Sequence, residues 1–83
     1  MARVLIVDDE PLIRKQIARI LERLGHDVHQ SASAEQALHL ARSRVFDLAL
    51  VDYNLPVQDG LYVLQHLREL QPGCLRILSL IHI

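Results

Sequence analysis

The chain has 83 residues, enough for one domain with a modest core. A hydrophobic fraction of 51% indicates a globular fold. The single cysteine excludes an intramolecular disulfide. The net charge is −1, and the sequence has no block of basic residues of the kind that binds nucleic acid. No apolar run approaches the length of a membrane span, and none fits a signal peptide. We therefore expect a cytoplasmic domain that binds neither membrane nor nucleic acid through this segment.

The first apolar run is rich in β-branched residues. This run, Val4 to Val7, predicts a strand that is buried on both faces of a parallel sheet. Three acids follow the strand, and Pro11 behind them is typical of the first turn of a helix. Gly25 predicts the end of that helix. The expected inward residues are Ile13, Ile17, Ile20, Leu21 and Leu24, and the arginines expected to be solvated are Arg14, Arg19 and Arg23.

The middle of the chain predicts a weak strand, a second helix and a second strong strand. The weak strand is Asp27 to Gln30. Ser33 and Gln36 have the spacing of a capping box, which predicts a helix N-terminus. Leu48 to Val51 is again a short apolar run, and it ends at Asp52. The expected buried face of the second helix consists of Ala34, Ala37, Leu38 and Ala41.

The last segments predict a third helix over Gly60 to Leu70 and a fourth strand over Leu75 to Ile81. Strands that alternate with helices at this spacing predict an α/β fold with an open, doubly wound parallel sheet. We expect the strand order 2-1-3-4. The expected inward residues of the third helix are Val63, Leu64, Leu67 and Leu70.

Carboxylates follow the two strong strands. Asp8 and Asp9 come directly after the first strand, and Asp52 ends the third. In a doubly wound sheet, ligands bind at the carboxyl ends of the strands, so these three acids are expected to share one crevice. Carboxylates at such close range repel each other, and Mg²⁺, which prefers oxygen ligands, would relieve the repulsion. A carboxylate beside such an ion can attack phosphorus and form an acyl phosphate.

Simpler interpretations of the same acids stay open. The acids before Pro11 could serve only to interact with the helix dipole, and Asp52 alone could cap a turn. Acids at the ends of two strands that are predicted to be adjacent are less easily explained by these simpler roles.

Two stretches resemble a known family, the receiver domain of two-component response regulators. VLIVDDEPLIR is similar to its first strand and acid pocket, and DLALVDYNLPVQDG is similar to its phosphoacceptor segment. The resemblance implies a flavodoxin-like fold with strand order 2-1-3-4-5. It implies that Asp52 accepts phosphate from a sensor histidine kinase or phosphotransfer domain, and that the domain is not a turnover enzyme. It also implies that Asp9 and Asp52 bind Mg²⁺ directly, Asp8 through water, and Asn54 through its backbone carbonyl.

The end of the chain departs from the family pattern. Receivers have a Ser or Thr at the end of the fourth strand, and Ser79 lies near that place, but Leu80 follows where a small residue is usual. Receivers also have a Lys at the end of a fifth strand, and no lysine follows Lys15. We therefore expect a partial receiver domain that lacks the fifth strand and the last helices, with its output domain missing or unknown.

Residues 78–83 have a second interpretation. The sequence LSLIHI is the translation of CTG TCT CTT ATA CAC ATC, a transposon-derived sequencing adapter. We interpret residues 1–77 as the receiver part and 78–83 as non-native sequence of the kind to be set aside in fold analysis, which would make Ser79 a coincidental hydroxyl. The alternative is that LSLIHI is simply a hydrophobic strand.

Two other functions compete with phosphate acceptance. A phosphatase of the haloacid-dehalogenase type also uses a strand-end Asp and Mg²⁺, but its nucleophile would lie on the first strand in an Asp-x-Asp pattern. Here the first strand ends in Asp8-Asp9, and the single Asp52 follows the third. The other alternative is a pseudo-receiver that only binds partners.

Overall fold

The structure is a computed structural model that describes residues 1–52, 55 and 57–79. Asn54, Pro56 and residues 80–83 lie outside the described residues, so the expected role of the Asn54 carbonyl stays a prediction. No helix within the described part of the chain is long and apolar enough to cross a membrane.

Strands and helices alternate along the chain. The elements are β1 (Arg3–Val7), α1 (Pro11–Arg23), β2 (Asp27–Ser31), α2 (Ala34–Ser43), β3 (Leu48–Asp52), α3 (Val57–Leu70) and β4 (Leu75–Ser79). The strands form one parallel sheet in the order β2-β1-β3-β4, which confirms the predicted order. β1 and β3 are therefore neighbours in the middle of the sheet, and their carboxyl ends meet at one edge.

Two hydrophobic clusters cover the two faces of the sheet. On one face, α2 and α3 pack on β1 and β3 through Leu5, Ala37, Phe46, Val51, Val63 and Leu67, among others. On the other face, Ala18 of α1 packs with Val4 and Ile6, and Ile17 and Leu21 flank them. Helices on both faces of a parallel sheet confirm the doubly wound fold.

The predicted inward face of α1 was wrong at two positions. Ile20 and Leu24 are 57% and 68% exposed, whereas Ala18, which was not on the predicted face, is 1% exposed. The helix meets the sheet along Ile17, Ala18 and Leu21, which lie within about 100° of each other at 3.6 residues per turn. Ile20 and Leu24 lie on the flank of that line, so the apolar pattern is wider than the buried contact.

The start of α3 also differs from the prediction. The helix begins at Val57 rather than Gly60, so Asp59 lies in its first turn, where a negative charge interacts well with the helix dipole. Gly60 is inside the helix. Leu70, predicted to be inward, is 43% exposed because it is the last residue of the helix, where the chain turns away towards β4.

The N-terminus of α2 is capped as predicted, with one change of partner. The Ser33 hydroxyl accepts the Gln36 N–H at 3.2 Å, but the Gln36 side-chain oxygen accepts the N–H of Ala32 instead of that of Ser33. The first bond occupies a backbone N–H in the first turn of the helix, which has no partner within it, and the second holds the residue before the cap.

Candidate functional site

Three carboxylates meet at the carboxyl ends of β1 and β3. Val7 and Val51 are register partners in the parallel pairing, so Asp8 and Asp52, the next residues, leave the sheet side by side. Asp9 follows on the β1–α1 loop. One carboxylate oxygen from each of Asp8, Asp9 and Asp52 lies within 4.8 Å of the other two. The structure thus brings together the three acids that the sequence placed in one crevice.

The acid cluster is buried at its base and open at one side. Asp8 and Asp52 are 2% and 1% exposed, while Asp9 is exposed. Negative charges at this range repel one another, and burial strengthens the repulsion because water screens it less. An approaching cation or phosphoryl group would reach the buried acids past Asp9.

The donor set fits a hard divalent cation. Mg²⁺ takes oxygen ligands and usually binds proteins through one or two carboxylates, with waters and phosphate oxygens in its other positions. Three carboxylate oxygens within 4.8 Å of one another offer such ligands. Because Asp9 is exposed, water can reach the site. No soft ligand of the kind that zinc prefers, such as a thiolate, belongs to this cluster.

The backbone of Asp8 is tied to the adjacent strand. Its N–H donates to the carbonyl of Ser31 at 3.0 Å, one step beyond the β1–β2 ladder. The Ser31 hydroxyl, which is buried, in turn donates to the Ile6 carbonyl at 2.9 Å. One Asp8 side-chain oxygen accepts the N–H of Glu10 at 2.8 Å. These bonds set the direction in which the Asp8 side chain leaves β1.

Arg14 corrects one sequence-based expectation. It was expected to be solvated, but it is half-buried, and its guanidinium donates to the Asp8 carbonyl at 2.9 Å and to the Gln30 side-chain oxygen at 3.2 Å. A signal was available: side chains on a helix lean towards its N-terminus, so an arginine near the start of α1 reaches back to the preceding loop. Arg19 and Arg23 are exposed, as expected.

Ser79 lies opposite Asp52 in the sheet. The β3–β4 pairing makes the two residues register partners at the end of both strands. On the other side of the site, the Leu55 N–H donates to the Asp52 carbonyl at 3.4 Å, and Leu55 is buried.

Comparisons with known proteins agree on one family. A family model described as the response regulator receiver domain matches residues 4–80. The sensor protein EvgS of Escherichia coli K12 is 39% identical over 66 residues, which cover 80% of this chain and 6% of that protein. The chain thus spans a small part of that relative's length.

Solved structures of the same class share the fold. A receiver domain protein from Methanospirillum hungatei superposes with a TM-score of 0.87 at 35% identity, over 98% of this chain and 69% of that one. The response regulator TrrA of Thermotoga maritima, solved with Mg²⁺ and BeF, has a TM-score of 0.83 at 33% identity, over 94% of this chain and 68% of that one. TrrA has also been solved in complex with the histidine kinase ThkA.

Proposed function

This chain belongs to the response regulator receiver domain family, and on that premise we propose that Asp52 is its phosphoacceptor and that Asp8 and Asp9 complete a Mg²⁺ site. The observation that carries the proposal is the convergence of the three carboxylates, with oxygens within 4.8 Å, at the ends of neighbouring central strands. Neither a helix dipole nor a turn cap requires acids from two strands to meet.

Each acid has a distinct place in the proposed site. Asp9 and Asp52 would bind the ion directly, Asp8 would hold one of its waters, and the Asn54 carbonyl would be a further ligand. Mg²⁺, when bound, would supply positive charge that offsets the charge on the phosphoryl oxygens during transfer. The Glu10 N–H bond to Asp8 keeps one oxygen of that carboxylate directed at its own loop, which fits an indirect role.

The proposed reaction is a phosphoryl transfer to a carboxylate. An oxygen of Asp52 attacks the phosphorus of a phosphohistidine, and the O–P bond forms as the N–P bond breaks. The leaving imidazole keeps the electron pair of that bond and takes a proton from water. The product is an acyl phosphate on Asp52, whose phosphoryl group carries about −1.5 to −2 units of charge in place of the single negative charge of the carboxylate.

The proposed phosphodonor is a sensor histidine kinase or a phosphotransfer domain. Support comes from the histidine kinase complex of TrrA, which has the same fold and is 33% identical to this chain. We propose that the domain modifies itself and does not turn over substrates. A haloacid-dehalogenase-type phosphatase is not supported, because Asp52 lies on β3 and not on β1.

We also propose that residues 1–77 are the native part of a partial receiver domain and that 78–83 are adapter-encoded. The presence of Leu80 after Ser79 supports this, whereas the family match that reaches residue 80 favours a native β4. Genomic DNA past the codon for Ile77 tests it: a sequence that encodes LSLIHI would overturn the proposal. The same DNA decides whether Ser79, the register partner of Asp52, is a native residue.

The phosphoacceptor proposal is tested with the full chain, Mg²⁺ and acetyl phosphate, and with intact-mass measurement of the product. We expect one added phosphoryl group that is lost on treatment with hydroxylamine, as an acyl phosphate is and a phosphoserine is not. Asp52→Asn should abolish the modification. Asp47→Asn is the matched control, because Asp47 is an exposed acid just before the other end of β3, and it should be modified like the wild type.

Other outcomes would select a competing function. Catalytic hydrolysis of varied phosphate esters would support the phosphatase. Mg²⁺ binding without any modification would support the pseudo-receiver, and persistent modification of Asp52→Asn would exclude Asp52 as the acceptor.

A further inference from the structure

Arg14 joins the loop that carries the acids to the edge strand β2. Its Nη1 donates to the Asp8 carbonyl at 2.9 Å, and its Nε donates to the Gln30 side-chain oxygen at 3.2 Å. A guanidinium is planar and holds its donors in fixed directions, so two bonds to separate acceptors fix its orientation. The loop is thereby held from the α1 side as well as from the sheet.

The carbonyl that Arg14 holds belongs to the peptide unit between Asp8 and Asp9. That unit is planar, so holding its oxygen restrains the backbone rotation on both sides of it. The N–H of Asp8 is already held by the Ser31 carbonyl at 3.0 Å. With both ends of the Asp8 backbone held, the directions in which the Asp8 and Asp9 carboxylates leave the chain are set together.

We propose that Arg14 is a positioning residue that keeps the Asp8 and Asp9 carboxylates in the arrangement that binds the divalent ion. The inference rests on the proposed Mg²⁺ site. Arg14 acts through the loop backbone, because its guanidinium is bonded to the Asp8 carbonyl and to Gln30.

Charge and positioning predict opposite effects when Arg14 is replaced. A positive charge next to the acid cluster disfavours a second cation, so removal of that charge alone would tighten Mg²⁺ binding. Loss of the backbone bond would loosen the loop and weaken binding. Groups that orient metal ligands contribute about 10-fold or more to metal affinity, so we expect the loss of positioning to dominate.

The experiment is a Mg²⁺ titration of the 83-residue chain, monitored by backbone amide NMR. Hydrogen exchange of the Glu10 amide is measured before Mg²⁺ is added. In Arg14→Met we expect Mg²⁺ affinity to fall about 10-fold. The Glu10 amide, which donates to Asp8, should exchange faster without any ion present. Arg19→Met is the matched control, since it removes an exposed arginine from the same helix and should change neither readout.

Two milder variants keep the test valid if Arg14→Met unfolds. Arg14→Lys retains the charge and one donor, but it cannot hold Asp8 and Gln30 with a rigid fork, so affinity should fall by less than in Arg14→Met. Gln30→Met removes only the anchor on β2 and should weaken Mg²⁺ binding about threefold.

The outcomes separate this inference from the function on which it rests. Equal or tighter Mg²⁺ binding in Arg14→Met, with unchanged Glu10 exchange, would overturn the positioning role and leave the phosphoacceptor proposal intact. A wild-type chain that binds no Mg²⁺ at the acids would overturn the metal site and the positioning role together.

Discussion

The side-chain oxygen of Gln71 accepts the backbone N–H of Phe46 at 2.6 Å, which joins the segment after α3 to the segment that enters β3. The amide nitrogen of the same side chain donates to the carbonyls of Ala41 and Arg44, at 2.7 and 2.6 Å. Gln71 is 7% exposed. One buried amide therefore provides partners for three backbone groups, one in the last turn of α2 and two in the α2–β3 connection, at the end of the sheet opposite the acids.

Replacement of this side chain by an apolar one should destabilise the fold. Gln71→Leu has a similar size, but it leaves the Phe46 N–H and two carbonyls without this partner. Each buried polar group without a partner costs about 1–3 kcal/mol, and water can reach some of them, so we expect a loss of about 3 kcal/mol in the free energy of unfolding. Urea denaturation measures it.

Gln65→Leu is the matched control for Gln71→Leu. Gln65 is exposed on α3, so its replacement should change the unfolding free energy by no more than about 0.5 kcal/mol. Similar losses in both variants would show that the bonds of Gln71 contribute little to stability.

Gly25 ends α1 in a backbone conformation that favours glycine. Its φ is +92°, and it has the hydrogen bonds of a Schellman motif: the Gly25 N–H donates to the Glu22 carbonyl and the His26 N–H donates to the Leu21 carbonyl. Gly25→Ala should destabilise the protein by about 1–2 kcal/mol, because a Cβ is disfavoured at positive φ. Thermal or urea denaturation measures the change.

Gly73 provides the comparison for Gly25. A Cβ would meet no atom within 4 Å at either glycine, and Gly25 is the one glycine with a positive φ in the described part of the chain. Gly73→Ala should therefore change stability by no more than about 0.5 kcal/mol. Equal losses at both positions would show that the φ angle is not the cause.

The fold was predictable because its main signals are local. Val4 to Val7 and Leu48 to Val51 are continuous apolar runs, which mark central parallel strands. The rule that the carboxyl ends of such strands share one edge, together with the expected order 2-1-3-4, brought Asp8 and Asp52 together. Local patterns therefore predicted the elements, and the topology of a doubly wound sheet was needed to predict the position of the acid cluster.

Other features were missed because they depend on contacts between distant segments. Gln71 resembles any polar residue at a helix end until the backbone of the α2–β3 connection is placed against it. Arg14 resembles a surface arginine until Gln30 on β2 is known to be within reach. Ile20 shows the converse, since an apolar residue at the right helical spacing is exposed because it lies on the flank of the line along which α1 meets the sheet.

Asp27, at the start of the edge strand β2, makes an ion pair with Arg3 and lies beside the His29 ring. Its carboxylate oxygens lie 3.0 Å from Nε of Arg3 and 3.3 Å from Nε2 of His29. The hydrogen bond from Arg3 is the main cause that lowers the pKa of Asp27 below its ordinary value; partial desolvation opposes it, and the bond to His29 adds to it. The charged form of Asp27 is therefore favoured in the folded chain.

The sign of the resulting pH dependence follows from the lowered pKa. A carboxylate with a lower pKa in the folded chain stabilises the fold above its unfolded value of about 3.9, and the contribution is lost as the pH falls through the folded value. Wild type should exceed Asp27→Asn in stability at pH 6, and the difference should shrink below about pH 4. Urea denaturation at several pH values measures it.

The stability difference between wild type and Asp27→Asn should also shrink in high salt, because the pair of Asp27 and Arg3 is exposed. A difference that is constant from pH 6 to pH 3 would show that the charge of Asp27 is not its source.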